Sequence, residues 1–401
     1  MTLGKKTLRD LDAETLSGKR VLVRVDYNVP IEGGRVTDDG RIRATLSTLG
    51  YLRDHGARVV LLSHLGRPKG KPYPKYTLAP VAERLRELLG APVAFVESTV
   101  GDEAKAAVER LEPGGIVLLE NTRFLPGEEK NDPELSRRLA ELGDLYVNDA
   151  FGAAHRAHAS TAGVAEHLRP AVAGFLLERE IRFLGEALES PKRPFVAVLG
   201  GAKISGKLEL VARLLERTDR LCVGGAMACT FFRAMGLETG DSLVEPELTG
   251  EAADLLERAG EKLILPEDVV VAERVEAGAA KKVVARDAVS KGWAVVDIGP
   301  AAAERFRRAI VGAQTVLWNG PVGVFEIRDF ADGTFAIARA VAEATEAGAA
   351  TVLGGGDTGA AAAAAGIADR VSHLSTGGGA SLELLAGQEL PGIAALSDRE
   401  D

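Results

Sequence analysis

In the stretch FVAVLGGAKISGK, Phe195–Lys207, five apolar residues run without polar alternation into a pair of glycines and two lysines. A strand exposed on one face alternates apolar and polar side chains, whereas a strand covered on both faces does not. The run therefore predicts a fully buried strand whose carboxyl end opens into a glycine loop. Leu208–Leu215 follows with helical spacing. Strand, loop and helix in that order is the repeating unit of a parallel sheet covered by helices. The same unit recurs along the chain. Apolar runs lie at Val21–Val25, Val59–Leu62, Val93–Val96, Ile116–Leu119, Leu145–Val147, Leu221–Val223, Val295–Ile298, Thr315–Trp318 and Ala350–Leu353. Most lead into helical stretches such as Leu78–Leu89, Pro133–Leu142, Ala301–Ile310 or Gly333–Ala347. The expected class is α/β. Val172–Ser190 differs, with leucines and charges at helical spacing up to Pro191 and Pro194. It reads as a long helix connecting two βα series, or as an ordinary surface helix. Asp241–Ala285 breaks the rhythm and reads as an inserted loop region with a hairpin.

At 401 residues the chain allows two or three domains, at about 150 residues each. A 46% hydrophobic, 27% charged composition excludes a disordered tail, a fibre and a coiled coil. No apolar run approaches the roughly 20 residues that span a bilayer, and no signal peptide is expected, because Arg9, Asp10, Asp12 and Glu14 interrupt the N-terminus. Cys222 and Cys229 form no CxxC pair, which excludes a cysteine zinc site and a disulfide scaffold; they read as core residues, as do Trp293 and Trp318. A cytoplasmic protein is expected. The net charge of −9 disfavours nucleic acid unless the basic residues cluster.

They do cluster, at strand ends, where open α/β sheets bind ligands. Asp26, Asn28 and Pro30 follow the first run. His64 and Arg67 follow the second, Arg123 follows Ile116–Leu119, and Arg156 follows Leu145–Val147. Arg41 opens the first helix. Single arginines at such places usually pair with surface acids. Five basic groups at equivalent positions point instead to an anion site, since guanidinium forks bind carboxylate and phosphate bidentately. His155 and His158 have a spacing that a metal could use, but no third ligand is apparent, and a hydrogen-bonded loop pair is the simpler reading.

Strand ends in the second half carry glycines instead: Gly200-Gly201-Ala202-Lys203, Gly224-Gly225, Asn319–Gly323, Gly354–Asp357 and Thr376–Gly379. Glycines let backbone N–H groups approach phosphate closely. One half then holds a small anion and the other a polyphosphate, the layout of a kinase with two substrates. Gly201–Lys207 matches the core of a P-loop, but Leu208 stands where a magnesium-binding hydroxyl is required. Lys203 and Lys207, four apart at a helix start, are expected to face one side. Gly354–Gly359 matches G-x-G-x-x-G, but the ribose-binding acid expected about 20 residues on is replaced by Ser375 and Thr376. A bare Asp357 there would repel pyrophosphate, so it reads as a ligand to a divalent cation lying between them.

Eight segments in order then resemble the phosphoglycerate kinase family: VLVRVDYNVP (Val21–Pro30), SHLGRP (Ser63–Pro68), ENTRF (Glu120–Phe124), YVNDAFGAAHRAHAS (Tyr146–Ser160), GGAKIS (Gly200–Ser205), WNGPVGVFE (Trp318–Glu326), GGGDT (Gly354–Thr358) and STGGGASLELL (Ser375–Leu385). The resemblance implies a monomeric, hinge-bending glycolytic enzyme that moves a phosphoryl group between 1,3-bisphosphoglycerate and ADP, giving 3-phosphoglycerate and ATP. It implies two Rossmann-like lobes, each a parallel sheet flanked by helices, joined by a hinge helix. Residues 1–171 would bind the triose, 172–190 would be the hinge, 191–385 would bind nucleotide, and 386–401 would return to the first lobe. The triose residues it implies are Asp26, Asn28, Arg41, His64, Arg67, Arg123 and Arg156. The nucleotide residues are Gly201, Ala202, Lys207, Asn319, Glu326 (for the ribose), Gly355, Gly356, Asp357 and Thr358. Lys203, Arg41 and the backbone around Gly378 would act on the transferring group, with Mg2+ on Asp357. Gly206, Ala226, Ala153 and the pair Ala294–Val295 depart from the family's usual Asp, Gly, Thr and Gly, the last pair near the expected adenine pocket.

A carboxylate acceptor, with a pKa of roughly 4, needs no general base at neutral pH. Catalysis is then positioning and charge neutralisation. Two rival readings remain at this point: an NAD-dependent dehydrogenase, on the strength of Gly354–Gly359, and a non-catalytic anion-binding protein on the same fold. No nucleic-acid or membrane partner is expected.

Overall fold

The structure, a computed structural model, describes residues 4–399. The chain divides into two compact units: residues up to Arg182 together with those from Glu389 onward, and Phe183–Gln388. Each has a six-stranded sheet in which every pairing is parallel.

In the first unit the strands are β1 (Arg20–Val25), β2 (Arg58–Leu62), β3 (Ala94–Val96), β4 (Ile116–Leu119), β5 (Leu145–Asp149) and β6 (Ala171–Ala173), in the order β3-β4-β2-β1-β5-β6. In the second they are β7 (Phe195–Leu199), β8 (Arg220–Val223), β9 (Leu263–Ile264), β13 (Thr315–Asn319), β14 (Ala350–Gly354) and β15 (His373–Leu374), in the order β9-β8-β7-β13-β14-β15. Between β9 and β13 come β10 (Asp268–Ala272), β11 (Lys281–Ala285) and β12 (Ala294–Ile298), a separate antiparallel sheet in the order β11-β10-β12. The strand order reverses direction between β1 and β5 in one sheet and between β7 and β13 in the other. Such switch points leave a crevice at the carboxyl ends of the strands. The central strands are buried throughout, β7 and β13 at every residue, as their unbroken apolar runs require.

Three expectations change. Val295–Ile298 is not a parallel-sheet strand; it pairs antiparallel with β10, and the register shifts between Val270 and Val271. The supposed loop region Asp241–Ala285 contains the expected hairpin, and also the helix Thr249–Ala259 and the edge strand β9. The connecting helix starts at Phe175, not Val172, because Val172 belongs to β6. Arg41 does not open the first helix: it lies in the helical turn Gly40–Arg43, which follows Leu8–Asp10 and Ala13–Leu16. Trp318 is fully buried, but Trp293 is only half-buried and carries the Lys282 ammonium 4.0 Å from its ring centre. Both cysteines are buried.

The edge of β6 is not left open. Ala173 N–H donates to Lys6 O (2.9 Å), Lys6 N–H to Ser397 O (2.8 Å), and Ser397 N–H to Ala171 O (2.8 Å). Asn148 Nδ2 donates to Gly392 O at 2.9 Å. The residues around 390–398 thus pack on the first unit; Glu400 and Asp401 lie outside the described residues.

Asp149 ends β5 and is fully buried. Its Oδ1 accepts from Leu176 N–H (2.9 Å) and Leu177 N–H (3.2 Å), at the start of the connecting helix. Burial pushes this carboxyl up to about 7, against the pull of hydrogen bonds from Thr48 and those two N–H groups. A raised carboxyl means that the folded chain binds more protons than the unfolded chain between the ordinary value and pH 7. Its contribution to stability is therefore full below the ordinary value and is lost as pH rises through 7. An asparagine side chain at this position cannot titrate. The stability of the wild type relative to Asp149→Asn should fall by roughly 1.4 kcal/mol between pH 6 and pH 8, measured by urea unfolding with a probe in the first unit. A pH-independent difference would show that Asp149 titrates elsewhere.

Candidate functional site

In the first unit the basic residues gather at the carboxyl ends of β1, β2, β4 and β5. Asp26, just past β1, accepts from Arg41 Nη1 at 3.0 Å, and Asn28 O accepts from the same nitrogen at 3.2 Å. Asn28 Oδ1 takes the Gly66 N–H at 2.9 Å, tying the β1 and β2 loops together. Arg123 is buried and donates to Gly66 O (2.8 Å), with Glu129 3.2 Å from its Nε. Arg156 donates to His155 Nε2 (3.0 Å) and has no acidic partner among the described residues. Arg67 is exposed and makes no hydrogen bond or ion pair among the described residues. His155 and His158 are not bonded to each other as expected: His155 meets Arg156, while His158 Nδ1 lies 3.9 Å from Glu128.

The surplus of positive charge shows in the titrating groups. Burial drives His64 well below its ordinary value, and Arg24, Arg123, His158 and Arg41 add to the effect. His158 is pushed down to about 3, again by burial first, then by Arg24, Arg123, Arg156 and His155. Both imidazoles are therefore neutral at pH 7 and serve as hydrogen-bonding groups. Arg123 is also lowered, by burial and by Arg156 and Arg24, with Glu129 opposing. A cluster of like charges with so few carboxylate partners has the chemistry to receive an anion.

Sequence reasoning missed the members that hold this cluster. Arg24, within β1, is fully buried. It donates to Ser160 Oγ (2.8 Å) and to Val25 O, and its Nη2 lies 3.0 Å from His64 Nδ1. Ser160 in turn gives its hydroxyl (2.5 Å) and its N–H (3.0 Å) to the fully buried Glu128. The signal for Arg24 was present: it is the one charge interrupting Val21–Val25.

In the second unit the glycine loops converge at the ends of β7, β13 and β14. Lys207 Nζ donates to Gly200 O (2.6 Å) and Asn319 O (3.3 Å). Burial lowers it to about 8, with Asp357 opposing. Asn319 Nδ2 donates to Gly354 O (2.8 Å), and the buried Thr358 hydroxyl donates to Gly354 O (2.6 Å) while accepting from Gly320 N–H (2.7 Å). Asn319 and Thr358 thus stitch strand ends together. Gly201 (φ +125°) and Gly355 (φ +102°) occupy backbone conformations that favour glycine. Gly356 and Asp357 open the helix Gly356–Ala364, and Gly378 opens Gly378–Ala386. The first N–H groups of a helix have no intrahelical partner. Gly377 N–H is already taken by Ser375 Oγ at 3.2 Å. Ala202, Lys203, Glu326, Gly356 and Asp357 are not buried.

Lys203 and Lys207 do not share a helical face. The helix begins at Leu208, and both lysines lie in the turn before it. Buried Ile204 anchors that turn, closed by Lys207 N–H to Ile204 O (2.8 Å). The two lysines consequently do different things: Lys207 is locked to carbonyls, and Lys203 has no hydrogen-bond or ion-pair partner among the described residues. Among the described residues no group of three or more His, Cys, Asp or Glu could hold a metal by itself, and no helix is long and apolar enough to cross a membrane. Asp357 is a lone exposed carboxylate beside glycine loops. That donor set fits magnesium, which takes one or two carboxylates and completes its shell with phosphate oxygens and water.

Residues 8–388 match the family model described as phosphoglycerate kinase. A phosphoglycerate kinase of Rubrobacter xylanophilus is 58% identical over 399 residues, covering 100% of both chains. One from Chloroflexus aggregans is 56% identical over 404 residues, covering 99% of this chain and 100% of that one. Among solved structures, the phosphoglycerate kinase of Coxiella burnetii superposes with a TM-score of 0.88 at 42% identity, covering 98% of each chain. That of Pyrococcus horikoshii gives 0.84 at 34% identity, again covering 98% of each.

Proposed function

The chain belongs to the phosphoglycerate kinase family, and from that premise we propose how its residues divide the work of the family's reaction. The enzyme is a phosphotransferase of glycolysis with a carboxyl group as acceptor, passing a phosphoryl group between 1,3-bisphosphoglycerate and ADP to give 3-phosphoglycerate and ATP. The triose anion binds in the first unit, held by Arg67, Arg123 and Arg156 and oriented by Asp26, Asn28 and neutral His64. Arg41, steered by Asp26, reaches the reacting carboxyl-phosphate. The nucleotide binds in the second unit. Its phosphates lie on the backbone at Gly201, Ala202, Gly355 and Gly356; Asn319, Thr358 and Lys207 hold those loops in register, and Glu326 takes the ribose. Asp357 is the protein's ligand to Mg2+, which neutralises phosphate charge when bound. Lys203 and the helix start at Gly378 meet the phosphoryl group in flight.

This reading rests on one observation: the guanidinium cluster, in which Arg67 and Arg156 have no acidic partner among the described residues, lies in one unit and the glycine loops in the other. The acceptor carboxylate needs no proton removed, and both histidines in the cluster are held neutral, so positioning and charge neutralisation carry the rate. In this proposal hinge bending about the connecting helix accompanies the reaction, bringing the two ligands together and expelling the water that would hydrolyse ATP. The enzyme acts in the cytoplasm as a monomer. With the full chain, amide shifts on adding 3-phosphoglycerate alone should map before residue 182 and those on adding MgADP alone after 183, and MgADP with 1,3-bisphosphoglycerate should yield ATP in a coupled assay. MgADP perturbing the arginine cluster instead would overturn the division.

A further inference from the structure

We propose that Glu245 is a positioning residue for Lys203; this rests on the reading of Lys203 given above. The two are 42 residues apart in sequence, and nothing in the GGAKIS stretch announces a partner. Glu245 nevertheless has only 9% of its surface exposed. One carboxylate oxygen accepts from two successive peptide N–H groups, Ile204 at 2.6 Å and Ser205 at 3.0 Å. Burial opposes its ionisation, but hydrogen bonds from the Ser205 side chain and N–H and from Ile204 N–H outweigh it. With the Lys203 ammonium nearby, they hold the carboxyl below its usual range. Glu245 is thus ionised at neutral pH. Its own N–H donates to Thr230 Oγ1 at 3.2 Å, which fixes the acid to the Met227–Ala234 helix.

The consequence falls on Lys203. Its loop is pinned upstream by Met227 N–H donating to Gly201 O (3.0 Å) and downstream by Lys207 on Gly200 O and Asn319 O. Between these points a turn closes on Lys207 N–H to Ile204 O (2.8 Å), and Glu245 adds a second anchor on the two residues that follow Lys203. Lys203 forms no ion pair with Glu245 or with any other described residue. The loop is held while the lysine is left available for a phosphoryl group. A shift of about 1 Å in a catalytic group can cost roughly 100-fold in rate.

Steady-state kinetics of Glu245→Ala should show kcat reduced roughly 10- to 100-fold, with the Kd for MgADP and the KM for 3-phosphoglycerate changed less than about threefold. Glu245→Gln keeps an acceptor oxygen for both N–H groups and should restore most of kcat. In a Lys203→Ala background, Glu245→Ala should cost nothing further, because it acts through Lys203. Multiplicative losses in the double variant would overturn the proposal, as would a folded Glu245→Ala enzyme with unchanged kcat. If the alanine variant does not fold, Glu245→Asp, which is too short to reach both N–H groups, takes its place with the same expected split. Normal turnover in Lys203→Ala alone would instead remove the role of Lys203, and is thereby distinguished from failure of Glu245.

Discussion

Lys203→Ala should lower kcat by roughly a hundred- to a thousandfold while leaving ADP binding almost unchanged. Lys203 is exposed and unpaired among the described residues, so removing it breaks no contact that holds the fold and leaves no buried group unsatisfied. Its neighbour Lys207 already donates to Gly200 O and Asn319 O and keeps the loop closed. On the role proposed for it, what is lost is a positive charge where negative charge is shared among donor, phosphoryl group and acceptor. An interaction made only in the transition state appears in kcat and not in ground-state binding. Arg67→Ala and Arg156→Ala should behave otherwise, weakening 3-phosphoglycerate binding along with turnover. Calorimetry with ADP beside steady-state rates decides the matter: parallel loss of ADP affinity and kcat in Lys203→Ala would make it a ground-state ligand.

Asp357→Asn should raise the magnesium concentration needed for half-maximal activity at least about tenfold, with 3-phosphoglycerate affinity unmoved. Asp357 lies in the first turn of the Gly356–Ala364 helix, two residues past the N-cap Gly355, and its carboxylate makes no hydrogen bond or ion pair among the described residues. The helix therefore does not depend on its carboxylate, and asparagine would serve a cap about as well. Its charge opposes the lowering of Lys207, whose ammonium is bonded to Gly200 O and Asn319 O in the glycine loops. A carboxylate there is compatible with phosphate only across a cation. Superimposable magnesium titrations of wild type and variant, with normal turnover, would remove the metal assignment.

The parallel sheets were legible because burial on both faces leaves an apolar run with no alternation, as at Phe195–Leu199. The glycine loops and the arginine cluster were legible as strand-end features because both residue types recur there at equivalent positions along the chain. Legibility failed where a residue's role depends on a partner distant in the chain. Val295–Ile298 has the composition of a parallel strand, and only its pairing with Asp268–Ala272 shows otherwise. Lys203 and Lys207 are spaced as helical neighbours, but buried Ile204 and the Glu245 carboxylate hold a turn there instead. Arg24, Ser160 and Glu128 form one buried chain of hydrogen bonds from three separate segments, a relation that spacing cannot encode. Asp149 looks like any acid at a strand end, and its unusual ionisation comes from complete burial.

The edge built from Ala171–Ala173, Lys6 and Ser397 bears on the order in which the polypeptide is made. The second unit is continuous in sequence, Phe183–Gln388, so it can be completed as it emerges from the ribosome. The first unit is interrupted by it. Strand β6 and the residues around Lys6 emerge early, but Ser397, which bonds to both, is translated only after the whole second unit. Until then the N-terminal sheet carries an unsealed margin and Asn148 lacks its Gly392 acceptor. The nascent chain thus passes through a stage in which its second unit can be native while its first still waits for its last stitch.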